Sequence, residues 1–160
     1  MKKRLSLIQM DVHVNDVEYN YNRVQELLTQ ALAECPDIIV LPETWNTGFH
    51  PSKDLINISD RNGERTKALL SAFSKEHNVN IVGGSVAVAK EDLIFNTSYA
   101  YNREGTLVGE YSKMHGFSPA KENQYFASGT HTTHFELDGI PCSTVICYDI
   151  RFPELVRMAA

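Results

Sequence analysis

Ile38-Ile39-Val40-Leu41-Pro42-Glu43-Thr44-Trp45-Asn46-Thr47-Gly48-Phe49 is the stretch that decides the fold class. Its first four residues are apolar without alternation, and Pro36 and Pro42 bound the run. An unbroken run between such breakers reads as a strand buried on both faces, the habit of parallel sheets in α/β proteins. Residues 37–41 are therefore assigned to a strand. Glu43 stands just past its C-terminal end, the edge at which open α/β sheets bind ligands. Pro42 and Trp45 would partly desolvate the carboxylate, a condition that suits a general base. Taken alone, Glu43 reads sooner as an exposed loop glutamate in an ion pair.

Upstream, Arg4 to Met10 reads as a first strand with Leu5, Leu7 and Ile8 entering the core. Asn15 is placed as a helix cap, with Glu18 three residues later completing a capping box. Val17, Tyr21, Val24, Leu28 and Ala31 then recur on one helical face, which is a packing stripe. Downstream, a second helix spans roughly 62–77 with Leu69, Leu70 and Phe73 inward, and Asn78 ends it. Asn80 to Val88 reads as a strand whose Gly83-Gly84 pair marks a close backbone approach or a bulge. Phe95, Thr97, Tyr99 and Tyr101 alternate on one face, and Asn102-Arg103-Glu104-Gly105 turns into the next strand. Asp138-Gly139 makes a further hairpin between Thr133–Leu137 and Ile140–Ile146.

Two more strand ends carry chemistry. Strand-like alternation through Thr106-Leu107-Val108-Gly109-Glu110-Tyr111-Ser112 stops at Lys113, followed by Met114 and His115. A lysine there can donate to a developing oxyanion, although most lysines at strand ends are solvated. The run Cys142-Ser143-Thr144-Val145-Ile146 meets a helix start at Cys147-Tyr148-Asp149-Ile150-Arg151-Phe152-Pro153-Glu154. A cysteine at a helix N-terminus is expected to hold a lowered thiol pKa, because the unpaired N–H groups favour the thiolate. A lone free cysteine is otherwise a small buried hydrophobe. Pro153 and Glu154 suit a first helical turn.

The chain order Glu43, Lys113, Cys147, each at a strand end, resembles the nitrilase or carbon–nitrogen hydrolase superfamily. The matching contexts are Leu41-Pro42-Glu43, Tyr111-Ser112-Lys113-Met114-His115 and Val145-Ile146-Cys147-Tyr148-Asp149-Ile150-Arg151-Phe152-Pro153-Glu154. Glu122, seven residues before Gly129, resembles the second glutamate that many members place beside the lysine. The resemblance implies an α/β fold, the nitrilase-type α-β-β-α sandwich, and a single domain over residues 1–160. Members are longer, and Arg157-Met158-Ala159-Ala160 carries no helix stop. The domain is therefore expected to be incomplete at its C-terminus, truncated after the nucleophile and the start of the next helix.

The roles implied by the resemblance follow residue by residue. Cys147 would attack an amide carbonyl and carry a thioester. Glu43 would move the proton to the leaving ammonia and then activate water. Lys113 and the Tyr148 N–H would hold the oxyanion, and Glu122 would orient Lys113 or the substrate. Trp45 and His115 are expected to line the cleft, with Asp149, Arg151 and Glu154 as an ion-pair cluster beneath the nucleophile. No metal or organic cofactor is implied. The Glu43–Phe49 and Cys147–Glu154 segments look most like the omega-amidase branch, which cuts the terminal amide of short dicarboxylate monoamides such as 2-oxoglutaramate. A deaminated-glutathione amidase or a nitrilase is the alternative. A non-catalytic binding module of the same fold and a thiol redox sensor are readings of other classes, and the sensor lacks a resolving cysteine. The resemblance also implies a homodimer or larger homo-oligomer for the full-length form.

Composition narrows the classes further. At 160 residues with 42% apolar and 22% charged residues, the chain is of globular type. A chain of this length buries roughly 68–70% of its unfolded surface, enough for one core. A net charge of −5 with no Lys/Arg stripe speaks against nucleic acid as a partner. Lys2-Lys3-Arg4 opens like a signal peptide, but Gln9 and Asp11 interrupt the apolar run that follows. The expectation is therefore a cytoplasmic protein with no membrane segment, and the resemblance implies a small-molecule amide as its substrate. The cysteines Cys35, Cys142 and Cys147 are odd in number and suggest no disulfide framework. His131 and His134 would face opposite ways on a strand, so no zinc site is read there.

Overall fold

A computed structural model describes residues 2–49 and 53–160. Seven strands form one mixed sheet: β1 Leu5–Leu7, β2 Ile38–Val40, β3 Asp60–Arg61, β4 Asn80–Val82, β5 Val86–Lys90, β6 Leu93–Tyr101 and β7 Leu107–Ser112. β1, β2 and β4 are parallel neighbours, as the unbroken Ile38-Ile39-Val40 run requires. β6 reverses direction and pairs antiparallel with β4, β5 and β7. β8 His134–Leu137 and β9 Ile140–Ser143 form a separate hairpin. The helices are α1 Val17–Ala31, α2 Leu55–Ile58, α3 Glu64–His77 and α4 Pro153–Ala159. None of them is long and apolar enough to cross a membrane.

The helical stripes decide which face is the core. Tyr21, Val24, Leu28 and Ala31 of α1 and Leu70 and Phe73 of α3 pack on Ile39, Ile81, Val86, Val88, Tyr99 and Tyr101. Each such aliphatic or aromatic side chain contributes about 1.5–3 kcal/mol by leaving water. On the opposite face, Leu55 of α2 packs with Ala87 and Ile94, and Tyr125 and Phe126 lean against them. Asn78 closes α3 in the left-handed region (φ +52°), as its position predicts.

Three local expectations are corrected. Leu5 and Leu7 are 55% and 69% exposed, because β1 is an edge strand whose alternation turns Ile8 and Met10 towards the helices instead. The α1 cap is Asp16, whose carboxylate accepts from the Tyr19 N–H (3.1 Å). Asn15 lies outside at φ +62° with its own N–H bonded to Thr47, and Glu18 turns to Arg65. The Asn80–Val88 segment breaks at Gly83-Gly84 into two strands.

The end of the sheet away from Glu43 and Lys113 is bracketed by charge. Arg103, in the β6–β7 turn, donates to Asp138 (2.9 and 2.8 Å) and to Asp37 (3.0 Å), while Lys3 donates to Asp138 (2.8 Å). Hydrogen bonding from Arg103 holds the Asp138 carboxyl well below the usual carboxylate range against a desolvation cost, with Lys3 adding to the effect. A depressed carboxylate stabilises the fold above its unfolded-state pKa, near 4, and loses that contribution as pH falls. Arg103→Ala is therefore expected to lower stability at pH 7 by about 1 kcal/mol after solvent screening. Urea unfolding across pH checks it: the deficit narrows below about pH 4, and identical midpoints at pH 7 would remove the bracket from the stability account.

Candidate active site

Glu43 is held by a clamp between two loops at the C-terminal edge of the parallel strands. Thr44 sits at φ +45°, a costly conformation for a β-branched residue. The loop after β4 enforces it. Thr44 N–H donates to the Ser85 hydroxyl (3.0 Å), and Trp45 N–H donates to the Ser85 carbonyl (3.1 Å). Asn46 exchanges two hydrogen bonds with the Ala87 backbone (2.8 and 3.0 Å). Gly84, at φ +58°, comes so close that a Cβ there would lie 2.0 Å from the Pro42 carbonyl oxygen, so only glycine fits. The Gly83-Gly84 signal thus marks the support of the glutamate loop. Trp45 does not line the cleft. It is fully buried, donates Nε1–H to the Gly83 carbonyl (3.0 Å) and meets Tyr21 edge-on. Its ring and its donor are both satisfied inside the core.

Lys113 leaves the end of β7 with its N–H bonded to the Asn96 carbonyl (2.9 Å) and is 3% exposed. Its Nζ donates to Glu43 Oε1 (2.9 Å) and to Glu122 Oε2 (2.8 Å). Burial alone would lower the Lys113 pKa, but the hydrogen bonds that its ammonium donates to Glu122 and Glu43, together with their charges, raise it. The ammonium therefore persists at neutral pH. Glu122 is fully buried in a 3-10 turn, Glu122–Gln124, and also accepts the Phe117 N–H (2.7 Å). Two carboxylates thus share one ammonium.

Asn96 completes this group and was not singled out from sequence. Its Nδ2 donates to Glu43 Oε1 (2.9 Å) and Glu122 Oε1 (3.2 Å). The available signal was a buried-type position carrying an amide in mid-strand, on the face opposite Phe95 and Thr97, where β-strands disfavour asparagine.

Cys147 follows β9 as the first residue of a 3-10 turn, Cys147–Arg151, with φ +49°. β9 ends at Ser143, short of the predicted Ile146, which frees the chain to turn. The thiol is not lowered as expected. Burial pushes the Cys147 thiol up, the Glu43 charge pushes it further, and Lys113 opposes them. Five residues of 3-10 turn supply little dipole, and the nearby carboxylates outweigh it. The cysteine nevertheless remains open to solvent. A protonated thiol beside a carboxylate has a proton acceptor within reach, an arrangement able to support nucleophilic attack by sulfur.

Asp149 ties this turn to β7. It is fully buried; Oδ2 accepts from the Tyr111 hydroxyl (2.7 Å) and the Ile146 N–H (3.1 Å), while Oδ1 accepts the His115 N–H (2.9 Å) and meets His115 Nδ1 (2.9 Å). The His115 ring stacks on Phe152 (3.6 Å), and Tyr148 meets Phe117 and Phe152 edge-on. His115 and Tyr148 are half-buried and stand beside the thiol's turn. The expected Asp149–Arg151–Glu154 ion-pair cluster does not form. Arg151 and Glu154 are exposed and make no ion pair among the described residues, because Asp149 already accepts from interior donors. No group of three or more metal-type ligands gathers among the described residues.

This geometry has relatives. A family model described as carbon–nitrogen hydrolase matches residues 4–160. The 2-oxoglutaramate amidase of Bacillus subtilis (strain 168) is 38% identical over 157 residues, covering 98% of this chain and 60% of that protein. An omega-amidase of Danio rerio is 30% identical over 167 residues, covering 99% of this chain and 59% of its own length. The chain thus spans about 60% of the length of these curated relatives. Among solved structures, a CN-hydrolase superfamily protein from Xanthomonas campestris with an arsenic adduct in its active site superposes with TM-score 0.84 at 30% identity, covering 95% of this chain and 56% of that one. An amidase from Nesterenkonia sp. gives TM-score 0.85 at 21% identity over 98% of this chain and 60% of its own, a likeness of fold alone. The strand-end order Glu43, Lys113, Cys147, the nitrilase-type α/β fold and these matches lead to one conclusion: the chain belongs to the carbon–nitrogen hydrolase family.

Proposed function

We propose that this chain carries the catalytic groups of a thiol amidohydrolase that releases ammonia from a short dicarboxylate monoamide such as 2-oxoglutaramate. The observation that carries the proposal is Lys113 held between Glu43 and Glu122 with the Cys147 thiol under the influence of all three. Glu43 takes the Cys147 proton as sulfur attacks the amide carbon. Lys113 and the Tyr148 N–H stabilise the tetrahedral oxyanion, in which charge appears only as the reaction proceeds. Glu43 passes the proton to the departing nitrogen, so ammonia leaves and a thioester remains on Cys147. Water, losing its proton to Glu43, then hydrolyses the thioester to the acid and restores the thiol. Glu122 keeps Lys113 oriented, and His115 and Tyr148 form one side of the mouth. The steps require no metal or organic cofactor. The same reading makes the full-length protein a cytoplasmic homo-oligomer.

The test is ammonia release from 2-oxoglutaramate and a panel of small amides, with Cys147→Ala beside it. Release that disappears in the variant supports the thiol mechanism, and preference for 2-oxoglutaramate supports the substrate. Release that survives Cys147→Ala removes the mechanism. Preference for deaminated glutathione or a nitrile moves the assignment to those branches.

A further inference from the structure

We infer that Asn96 is a positioning residue of this site: its amide nitrogen holds Glu43 and Glu122 on either side of Lys113 and leaves Glu43 Oε2 to exchange protons with Cys147. The inference rests on the amidohydrolase reading above. Lys113 Nζ reaches Glu43 Oε1 and Glu122 Oε2, while Asn96 Nδ2 reaches Glu43 Oε1 and Glu122 Oε1. Four side chains therefore close a ring of alternating donors and acceptors. Within it, Glu122 uses both oxygens. Within the ring Glu43 uses only Oε1, which accepts both donors, and this leaves Oε2 outside the ring for the Cys147 thiol, which is hydrogen-bonded to the Glu43 side chain. That asymmetry separates an anchored oxygen from one left outside the ring on the same carboxylate.

The asparagine is built in rigidly. It is 1% exposed and lies in β6, opposite Ala87 of β5, whose N–H holds Asn46 in the glutamate loop. On its other side, its carbonyl accepts the Lys113 N–H. One backbone position thus references both Glu43 and Lys113. Its Oδ1 is buried and has no partner among the described residues. The reverse orientation would aim that oxygen at two carboxylates, so charge dictates which way the amide faces. A second lysine would also hold the pair, but its charge would weaken Glu43 as a base. A neutral donor holds the geometry without that penalty.

The test compares wild type with Asn96→Ala and with Asn96→Asp, which keeps the size but turns an acceptor towards both carboxylates. Two readouts are taken: kcat and KM for the amide that wild type turns over, and the pH dependence of Cys147 alkylation by iodoacetamide. Circular dichroism confirms folding. Asn96→Ala is expected to lower kcat about 10- to 100-fold with KM little changed, as misplacement of a catalytic group does. Its alkylation profile should move to higher pH on the acid side, because a carboxylate deprived of a donor holds its proton longer. Asn96→Asp should lose more. Wild-type kcat and an unmoved alkylation profile in folded Asn96→Ala would overturn the inference. So would a kcat loss with an unmoved profile, which marks a packing role. If wild type releases no ammonia, the functional proposal fails, while the alkylation profiles still decide the role of Asn96.

Discussion

Lys113→Met is expected to lose turnover and much of the chain's stability together. Lys113 is 3% exposed and Glu122 is fully buried, so their pair is shielded from water. Methionine keeps the volume, which removes the cavity term from the comparison. What remains is electrostatic: among the described residues Glu122 keeps Asn96 and the Phe117 N–H as donors, and Glu43 keeps Asn96 and the Cys147 thiol. Breaking a buried pair by deleting one partner costs about 3–5 kcal/mol. The raised pKa of Lys113 sets the pH window. A raised lysine contributes fully below its unfolded pKa of about 10.4 and loses that contribution above it. The deficit should therefore be complete at neutral pH and narrow only in strong alkali, or in acid where the carboxylates protonate. Turnover should fall by about 10²–10³, the usual effect of removing one oxyanion donor. Urea unfolding and ammonia release measure the two effects separately. A stable variant without activity would confine Lys113 to catalysis, and a fully active one would remove it from the mechanism.

What the sequence made legible is what short local pattern encodes. Ile38-Ile39-Val40 announced a buried parallel strand, and Glu43, Lys113 and Cys147 announced themselves by standing where strands stop. Gly83-Gly84 announced a close approach or a bulge, and only the fold shows that it is an approach and that the approached atom is the Pro42 carbonyl in front of Glu43. Relations set by sheet register were not legible. Asn96 reaches Glu43 across 53 positions of chain, through pairings of β5, β6 and β7 that no local pattern specifies. The thiol was misjudged for the same reason. The helix start after Cys147 is visible locally, whereas the Glu43 charge that outweighs it arrives from another loop. Leu5 and Leu7 show the limit of alternation, which gives the period of a strand but not which face meets the core.

Glu43→Gln is expected to cut turnover by about 10²–10⁴ while leaving the fold almost intact. The hydrogen-bond pattern explains why the two effects separate. Lys113 and Asn96 both donate to Oε1, so a glutamine can offer its carbonyl oxygen to both and keep the ring closed. Its NH₂ then occupies the place of Oε2, where a proton acceptor was needed. The pH dependence of the nucleophile should change as well. In the native site, burial and then the Glu43 charge push the Cys147 thiol up, so it is protonated at neutral pH, and under the proposed mechanism it reacts by giving its proton to Glu43. Removing the charge lets the thiol fall back towards its ordinary range, but the variant has no base and reacts only through free thiolate. Its alkylation by iodoacetamide should therefore climb about tenfold per pH unit through neutrality and level off once the thiol has titrated. The native rate should vary far less over the same interval. Equal pH profiles for the two proteins would show that Glu43 does not take the thiol proton, and the proton path would then have to be sought elsewhere around Cys147.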